Sequence, residues 1–89
     1  MNFKKTAMLL KAMANIKRLE ILIYLRHSEL SVGTLQQKLK LSQSALSQHL
    51  AVLRAFGIVQ TRRNKQQIFY RLQSERTRQI LNIFIKDSK

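Results

Sequence analysis

The chain of 89 residues has no cysteine and no proline, and its only glycines are Gly33 and Gly57. The absence of cysteine excludes disulfides, thiolate nucleophiles, thiol redox switches and cysteine metal sites. So few chain breakers, in so short a chain, predict one domain over residues 1–89 with no linker. No segment approaches about 18 uninterrupted apolar residues, and the basic N-terminal stretch lacks a convincing cleavage site. We therefore expect a cytoplasmic protein without a transmembrane helix or a signal peptide.

Acidic residues are also scarce, with 4 Asp+Glu against 17 Lys+Arg and a formal net charge of +13. No acid lies between Leu30 and Ser74. The basic residues of that interval are Lys38, Lys40, Arg54, Arg62, Arg63, Lys65 and Arg71. Charge of one sign over so long a stretch predicts a polyanion as the partner. The alternative is a charged surface that only keeps a small protein soluble, but such surfaces normally mix both signs.

The residues needed for catalysis or metal binding are missing from the sequence. The four acids are scattered, and no glycine-rich loop could hold a phosphate. His27 and His49 are the only histidines, and neither has a second ligand at a useful spacing. We therefore predict no catalytic residue, no metal, no cofactor and no small-molecule ligand.

The spacing of apolar residues predicts helices at about residues 3–13, 15–27, 31–39 and 42–56. In the second helix, Ile16, Leu19, Leu22 and Ile23 share one stripe, with Ile21 and Leu25 beside them, which predicts a buried central helix. The third and fourth helices each start with a leucine followed by a serine N-cap, Ser31 and Ser42. Because these caps lie so close together, only a tight turn fits between the two helices, and this spacing indicates a helix-turn-helix.

The fourth helix has an outer face made of small or uncharged side chains. Leu46, Leu50 and Leu53 fall on its core side. The other side presents Gln43, Ser44, Ser47, Gln48, Ala51 and Arg54. Small residues allow a helix to lie deep in the major groove of DNA, where Gln and Ser can bind base edges and phosphates. The alternative is a polar face that meets only solvent, but such faces usually favour Glu and Lys. His49 falls between the two faces, so a phosphate contact and a local hydrogen bond both remain open.

A short hairpin is predicted at about residues 58–72, followed by a helix at about 74–86. Gly57 would end the fourth helix, and the turn of the hairpin falls at Asn64 and Lys65. Arg62, Arg63 and Lys65 cluster at its tip, where they can reach a phosphate backbone or the minor groove, as can Lys38 from the third helix. The alternative is a basic tip that only improves solubility.

The first and last helices carry more apolar surface than a small helix needs. The residues concerned are Phe3, Ala7 and Leu10 in the first helix and Ile80, Leu81 and Phe84 in the last. These residues predict a two-fold dimer interface, which would also relieve the small core of so short a chain. The alternative is that both helices pack only within their own chain. The predicted fold is mainly α with a β-hairpin wing, in the order ααααββα, a winged helix-turn-helix.

Four segments carry a resemblance to a known family: LLKAMANIKRLEILIYL, ELSVGTLQQKL, LSQSALSQHLAVLRAFGIV and FYRL. Through them the chain resembles the ArsR/SmtB family of bacterial winged-helix regulators over nearly its whole length. LLKAMAN and LSQSALSQHLAVLR are most similar to the HlyU-like branch. The resemblance implies a homodimer built on the first and last helices. It also implies that paired recognition helices enter successive major grooves of an imperfect palindrome, with half-sites about 34 Å apart.

The same comparison shows departures from the family. Ser31 and Gly33 stand where metal-sensing members commonly carry cysteines, and the last helix has no His. Ile23 stands where a redox-sensing member would be expected to have a cysteine. The chain therefore resembles a regulator of this family that lacks the metal-site and redox cysteines.

These observations predict a dimeric, sequence-specific DNA-binding transcriptional regulator that acts at the nucleoid. One alternative is a low-specificity nucleoid-type DNA binder or anti-silencing factor, which the high net charge favours. Another is a winged module that docks an acidic protein and has lost DNA binding. A specificity ratio near one in competition binding would support the first alternative, and failure of duplex DNA to compete for the protein partner would support the second.

Overall fold

The computed structural model describes residues 1–87 and contains, within them, five helices and three strands. The elements are α1 (Phe3–Met13), α2 (Ile16–Leu25), β1 (Leu30–Ser31), α3 (Val32–Leu39), α4 (Gln43–Ala55), β2 (Val59–Asn64), β3 (Gln67–Leu72) and α5 (Glu75–Asp87). The fold class is the predicted one, five helices with a hairpin wing, and β1 is an addition that the sequence did not predict. Among residues 1–87, no helix has both the length and the apolar character that a membrane crossing requires.

Side-chain caps determine where α1 to α4 begin. The side chains of Asn2 and Asn15 accept hydrogen bonds from the first turns of α1 and α2. Ser31 Oγ accepts from the backbone N–H of Thr34 at 3.1 Å, and Ser42 Oγ accepts in the same way from Ala45 at 3.1 Å. Each such cap stabilises a helix by about 1 kcal/mol, because it satisfies an N–H that the helix itself leaves unpaired.

The turn between α3 and α4 is made by a single left-handed residue. Lys40 has φ 55° and ψ 41°, and its backbone N–H donates to the carbonyl of Gln36 at 2.9 Å. This conformation ends α3 and reverses the chain just before the cap of α4. The two helices therefore follow each other as closely as the predicted helix-turn-helix requires.

The sheet is antiparallel, with strand order β1-β3-β2. β2 and β3 form the predicted hairpin, in which Asn64 pairs with Gln67 and Val59 pairs with Leu72. β1 pairs with the other edge of β3. The sequence did not indicate β1 because it is only two residues long and depends on a partner that is remote in the chain. Its effect is to join the start of α3 directly to the wing.

The core is built from apolar residues of all five helices and the hairpin, with α1 contributing Ala12 and Met13. The expectation for α2 was partly wrong. Ile16, Leu19 and Ile23 are 77%, 38% and 41% exposed, whereas Ile21, Leu22 and Leu25 are buried. The spacing of apolar residues did not identify the buried side correctly, because α2 is apolar around most of its circumference. Spacing alone therefore does not show which side packs on α3 and α4.

The two glycines provide a matched test of backbone conformation. Gly57 has φ +70°, and no atom lies closer than 4.0 Å to an added Cβ, so the cost of Gly57→Ala is conformational. We expect this change to lower the free energy of unfolding by about 1 kcal/mol. Gly33 lies in α3 with similar free space, so Gly33→Ala should raise the free energy of unfolding by about 0.5–1 kcal/mol. Urea unfolding measures both, and shifts of the same sign would contradict this account.

Candidate nucleic-acid interface

A cleft of about 830 Å³ lies between α4 and the hairpin. It is lined by the start of α3 (Ser31, Val32 and Gly33), by α4 (Gln43, Ser47, Leu50, Ala51, Arg54 and Ala55) and by the hairpin (Gln66, Gln67, Ile68 and Tyr70). None of these lining residues is acidic. The cleft therefore combines a cation, several hydrogen-bonding side chains and small apolar residues on one concave surface.

The rotation of α4 determines which predicted residues face this cleft. Leu46, Leu50 and Leu53 are buried, and at about 100° per residue the opposite side of the helix points away from the core. Gln43, Ser47 and Arg54 lie on the flank that lines the cleft. The side chains of Ser44 and Gln48 are exposed on the outermost part of the helix. All five of these predicted residues are therefore accessible to a partner approaching α4 from outside.

The pairing of the hairpin separates its two arginines. Ile68 and Tyr70 line the cleft, and their partners across the hairpin are Arg63 and Thr61. Because residues directly opposite each other project from the same face of a sheet, Arg63 lies on the cleft side. Lys65 is at the turn with φ 59°. Arg62 pairs with Phe69 on the other face, and its guanidinium lies 4.9 Å from the centroid of that ring.

Arg62 is held by an acid from outside the acid-free interval of the sequence. Its Nε donates to both carboxylate oxygens of Glu29, at 3.0 and 3.2 Å, and its Nη2 donates to Oε1 at 2.6 Å. These hydrogen bonds from Arg62 lower the pKa of Glu29 and raise the pKa of Arg62. The interval from Leu30 to Ser74 has no acid along the chain, but in the folded protein Glu29 is an acidic neighbour of the wing.

His49 and Lys38 do not line the cleft. Nη1 of Arg18 donates to Nδ1 of His49 at 3.3 Å, and Nε of Arg18 donates to the carbonyl of Ala12 at 2.6 Å. Because a guanidinium only donates, Nδ1 is the acceptor and the proton of the neutral ring is on Nε2. Of the two roles left open for His49, the structure therefore contains the local hydrogen bond. The ammonium of Lys38 lies 5.3 Å from the centroid of the Tyr24 ring.

The sequence did not single out several residues of the cleft. Gln66, Gln67 and Tyr70 belong to the hairpin, where only the cations drew attention. Ser31 was recognised as a helix cap but not as part of a surface. The available signal was the pair of glutamines directly after the predicted turn, because uncharged hydrogen-bonding residues beside a basic tip are suited to a phosphate backbone.

A second, apolar groove of about 370 Å³ lies on another side of the molecule. Its lining residues are Met13, Leu19, Ile23, Ile80, Leu81, Phe84 and Ile85, and we call it the α2–α5 groove. Of the residues predicted for a dimer interface, Phe84 is 68% exposed, Phe3 is 77% exposed and Leu10 is 47% exposed. Ala7 is also exposed and Ile80 is half-buried. Leu81 is only 4% exposed, because it packs into the core of its own chain.

This arrangement of helix-turn-helix, wing and cleft defines a winged helix-turn-helix protein. The chain belongs to the arsR family of bacterial regulatory proteins, whose family model matches residues 15–61. It is 52% identical over 82 residues to the transcriptional activator HlyU of Vibrio cholerae serotype O1, and the match covers 92% of this chain and 76% of that protein. It is 46% identical over 78 residues to the biofilm growth-associated repressor of Xylella fastidiosa, covering 88% and 68%.

Solved structures agree with this assignment. HlyU from V. cholerae superposes with a TM-score of 0.92 at 49% identity, over 98% of this chain and 95% of that one. A homodimeric winged helix-turn-helix DNA-binding domain from Mycobacterium bovis superposes with a TM-score of 0.86 at 26% identity, over 97% and 80%. The predicted family is thus confirmed, and the protein is a transcriptional regulator and not an enzyme.

The environment of His49 predicts a pH-dependent stability. Burial lowers its pKa, and the charge of Arg18 lowers it further. A base with a lowered pKa binds fewer protons in the folded chain than in the unfolded chain. The free energy of unfolding should therefore fall as the pH drops through the ordinary histidine range near 6.5. His49→Gln should flatten this fall between about pH 7 and 5.

Urea unfolding at a series of pH values measures the effect. His27→Gln is the matched control, since it removes the other histidine and leaves the contact between Arg18 and His49 in place. The control should keep the fall in stability. An unchanged pH dependence in His49→Gln would show that this contact is not its source.

Proposed function

We propose that the protein is a dimeric, sequence-specific DNA-binding transcriptional regulator that places α4 in the major groove and the wing on the adjacent backbone or minor groove. The observation that carries the proposal is the cleft between α4 and the wing. Its lining contains no carboxylate, and Arg54 lines it beside Gln43 and Ser47. A surface of this shape and charge suits a duplex with a phosphate backbone.

Base recognition is assigned to the outer face of α4. A glutamine side chain can bind adenine through two hydrogen bonds in the major groove, and serine can bind several base edges. Gln43, Ser44, Ser47 and Gln48 supply these groups, and all are exposed. The small side chains of Ala51 and Ala55 would let the helix approach the floor of the groove.

Phosphate binding is assigned to residues around the rim of the cleft. Arg54 supplies a cation from α4, and Arg63 and Lys65 supply cations from the wing. The exposed ammonium of Lys38 is proposed as a peripheral contact, since the first helix of a helix-turn-helix crosses the backbone. Arg62 and His49 are not assigned to DNA contacts, because Glu29 already holds Nε and Nη2 of Arg62 and Arg18 already donates to Nδ1 of His49.

Dimerisation is assigned to α1, α5 and the α2–α5 groove. Phe3, Ala7, Leu10, Ile80 and Phe84 would contribute apolar contacts, while Leu81 would support them from the core. The M. bovis relative is described as homodimeric, which supports a second copy as the partner. A two-fold axis would place two α4 helices about 34 Å apart, in successive major grooves of an imperfect palindrome.

A second candidate function is a low-specificity nucleoid-type binder or anti-silencing factor. The net charge of +13 favours it, because a high positive charge binds any duplex. Both candidates act in the cytoplasm at the nucleoid. The ratio of affinities for selected and random duplexes separates them, since specific regulators prefer their sites by about 10³ or more.

Two substitutions separate base recognition from phosphate binding. The probes are a duplex selected from a random-sequence pool and a scrambled version of it. Gln48→Ala should weaken binding to the selected duplex by about 5- to 150-fold, while binding to the scrambled duplex changes little. Arg63→Gln should weaken binding to both duplexes and reduce the slope of log K against log salt by about 0.9.

Lys17→Gln is the control for charge, since it removes one cation from α2, outside the cleft. It should change neither the specificity nor the salt slope appreciably. Equal losses on both duplexes for Gln48→Ala would contradict its assignment to base recognition, and binding that is independent of salt would contradict the proposed function as a whole.

The dimer is tested by placing a charge in the α2–α5 groove. Phe84→Glu should convert the protein from dimer to monomer in sedimentation equilibrium, because a carboxylate would be buried in an apolar interface. Ile16→Glu is the control, since Ile16 is 77% exposed but lies outside the groove. The control should remain dimeric. If the Phe84→Glu variant also remains dimeric, the dimer interface does not include the α2–α5 groove.

A further inference from the structure

Among the acids of residues 1–86, Glu29 differs in that its ion pair joins residues far apart in the sequence. Glu20 pairs with Lys17 and Glu75 pairs with Arg78, each within one helix at a spacing of three residues. The pair between Glu29 and Arg62 joins residues 33 positions apart. It connects the segment before β1 to β2 of the wing. A local pair lies within its own helix, whereas this one links two separate parts of the fold.

The pair crosses the whole width of the sheet. The strand order is β1-β3-β2, so Glu29, next to β1, and Arg62, in β2, are on opposite sides of the middle strand. Phe69 of β3 lies between them, with its ring 4.9 Å from the guanidinium. The carboxylate accepts three hydrogen bonds from Arg62, in a two-pronged arrangement with the planar guanidinium. We call Glu29, Arg62 and Phe69 the wing clamp.

The clamp lies on the face of the hairpin opposite the cleft. Arg63, the next residue of β2, shares the cleft face with Ile68 and Tyr70. A phosphate could bind Nε or Nη2 of Arg62 only by displacing the carboxylate that already holds these two nitrogens. Arg62 is therefore placed to hold the wing in position, and Arg63 and Lys65 are placed to contact a backbone.

We propose that Glu29 is a positioning residue for DNA binding, which holds the wing through Arg62 so that Arg63 and Lys65 keep a set distance from α4. This rests on the proposed function, because the wing is there assigned to the DNA backbone. The ion pair also connects the wing to the helix-turn-helix. Glu29 directly precedes β1, and Ser31 of β1 is the N-cap of α3.

The proposal and simple electrostatics predict opposite changes in DNA affinity when Glu29 is replaced. The direction of the change therefore tests the proposal. Glu29→Gln removes a negative charge and raises the formal net charge above +13. If Glu29 only repelled or competed with phosphate, this variant would bind DNA more tightly. If Glu29 holds the wing, the variant binds more weakly despite its higher positive charge.

The experiment measures binding of the full chain to the selected duplex at several salt concentrations. Glu29→Gln, which loses only the ion pair, should weaken binding by about two- to fivefold, and Arg62→Gln, which loses the ion pair and the cation–π contact, by about five- to tenfold. Neither should change the salt slope, because Arg62 is not a phosphate contact. Arg63→Gln, by contrast, should lower the slope by about 0.9. Glu75→Gln is the charge-matched control and should bind like the unaltered chain.

A charge reversal tests the contact itself. Glu29→Arg combined with Arg62→Glu should recover most of the affinity that Glu29→Arg alone loses. Amide hydrogen exchange of the free protein should be faster in the wing of Glu29→Gln, at residues 59–72, with α2 and α4 unchanged. This readout requires no DNA, and unaltered exchange in α2 and α4 shows that the variant is folded.

Three results would overturn the positioning role. They are tighter DNA binding by Glu29→Gln, a salt slope reduced by about 0.9 in Arg62→Gln, and wing exchange in Glu29→Gln equal to that of the unaltered chain. Failure of the proposed function is a separate outcome, in which the unaltered chain binds no duplex. The exchange measurement distinguishes the two, because it tests the clamp in the absence of DNA.

Discussion

The packing of three leucines of α4 against the core is the interaction on which the rest of the structure depends. Leu46, Leu50 and Leu53 are at most 2% exposed, and burying each contributes about 1.5–3 kcal/mol. Rotating α4 by one residue, about 100°, would expose these side chains and bury the polar ones. The orientation of Gln43 and Gln48 is thus determined by apolar residues on the opposite side of the helix. The face available to a partner is rigid for that reason.

The distribution of charge acts on the same surface. Glu20, Glu29 and Glu75 each pair with a basic side chain. The many basic residues beyond these pairs repel one another in the folded chain, and this repulsion lowers stability. A polyanion bound at the cleft would relieve the repulsion around Arg54 and Arg63, so binding and folding should reinforce each other. The leucine face provides the geometry of the surface, and the excess of basic residues provides its attraction for a partner of opposite charge.

The features that could be predicted from sequence are those that depend on neighbouring residues. Ser31 and Ser42 were recognisable as caps because the N–H groups they satisfy are three residues away. The pairings that the sequence did not reveal join distant residues: Glu29 with Arg62, and Arg18 with His49. Nothing in the local pattern around such residues indicates their partners, because tertiary packing brings them together. The DNA contacts and the dimer interface depend on molecules outside the chain, so they stay predictions.

Ser31 explains why α4 and the wing behave as one surface. Its side chain caps α3 through the N–H of Thr34, and its residue pairs with Phe69 of the wing. Moving the hairpin away from β1 would therefore disturb the start of α3, which packs with α4 through the core. A loop connection would allow the wing to swing, whereas a shared residue does not. The position of the middle strand β3 relative to α4 follows from two restraints, the leucine face on one side and the β1–β3 pairing on the other. A groove-binding surface requires both, because base contacts from α4 and phosphate contacts from the wing must be made at the same time.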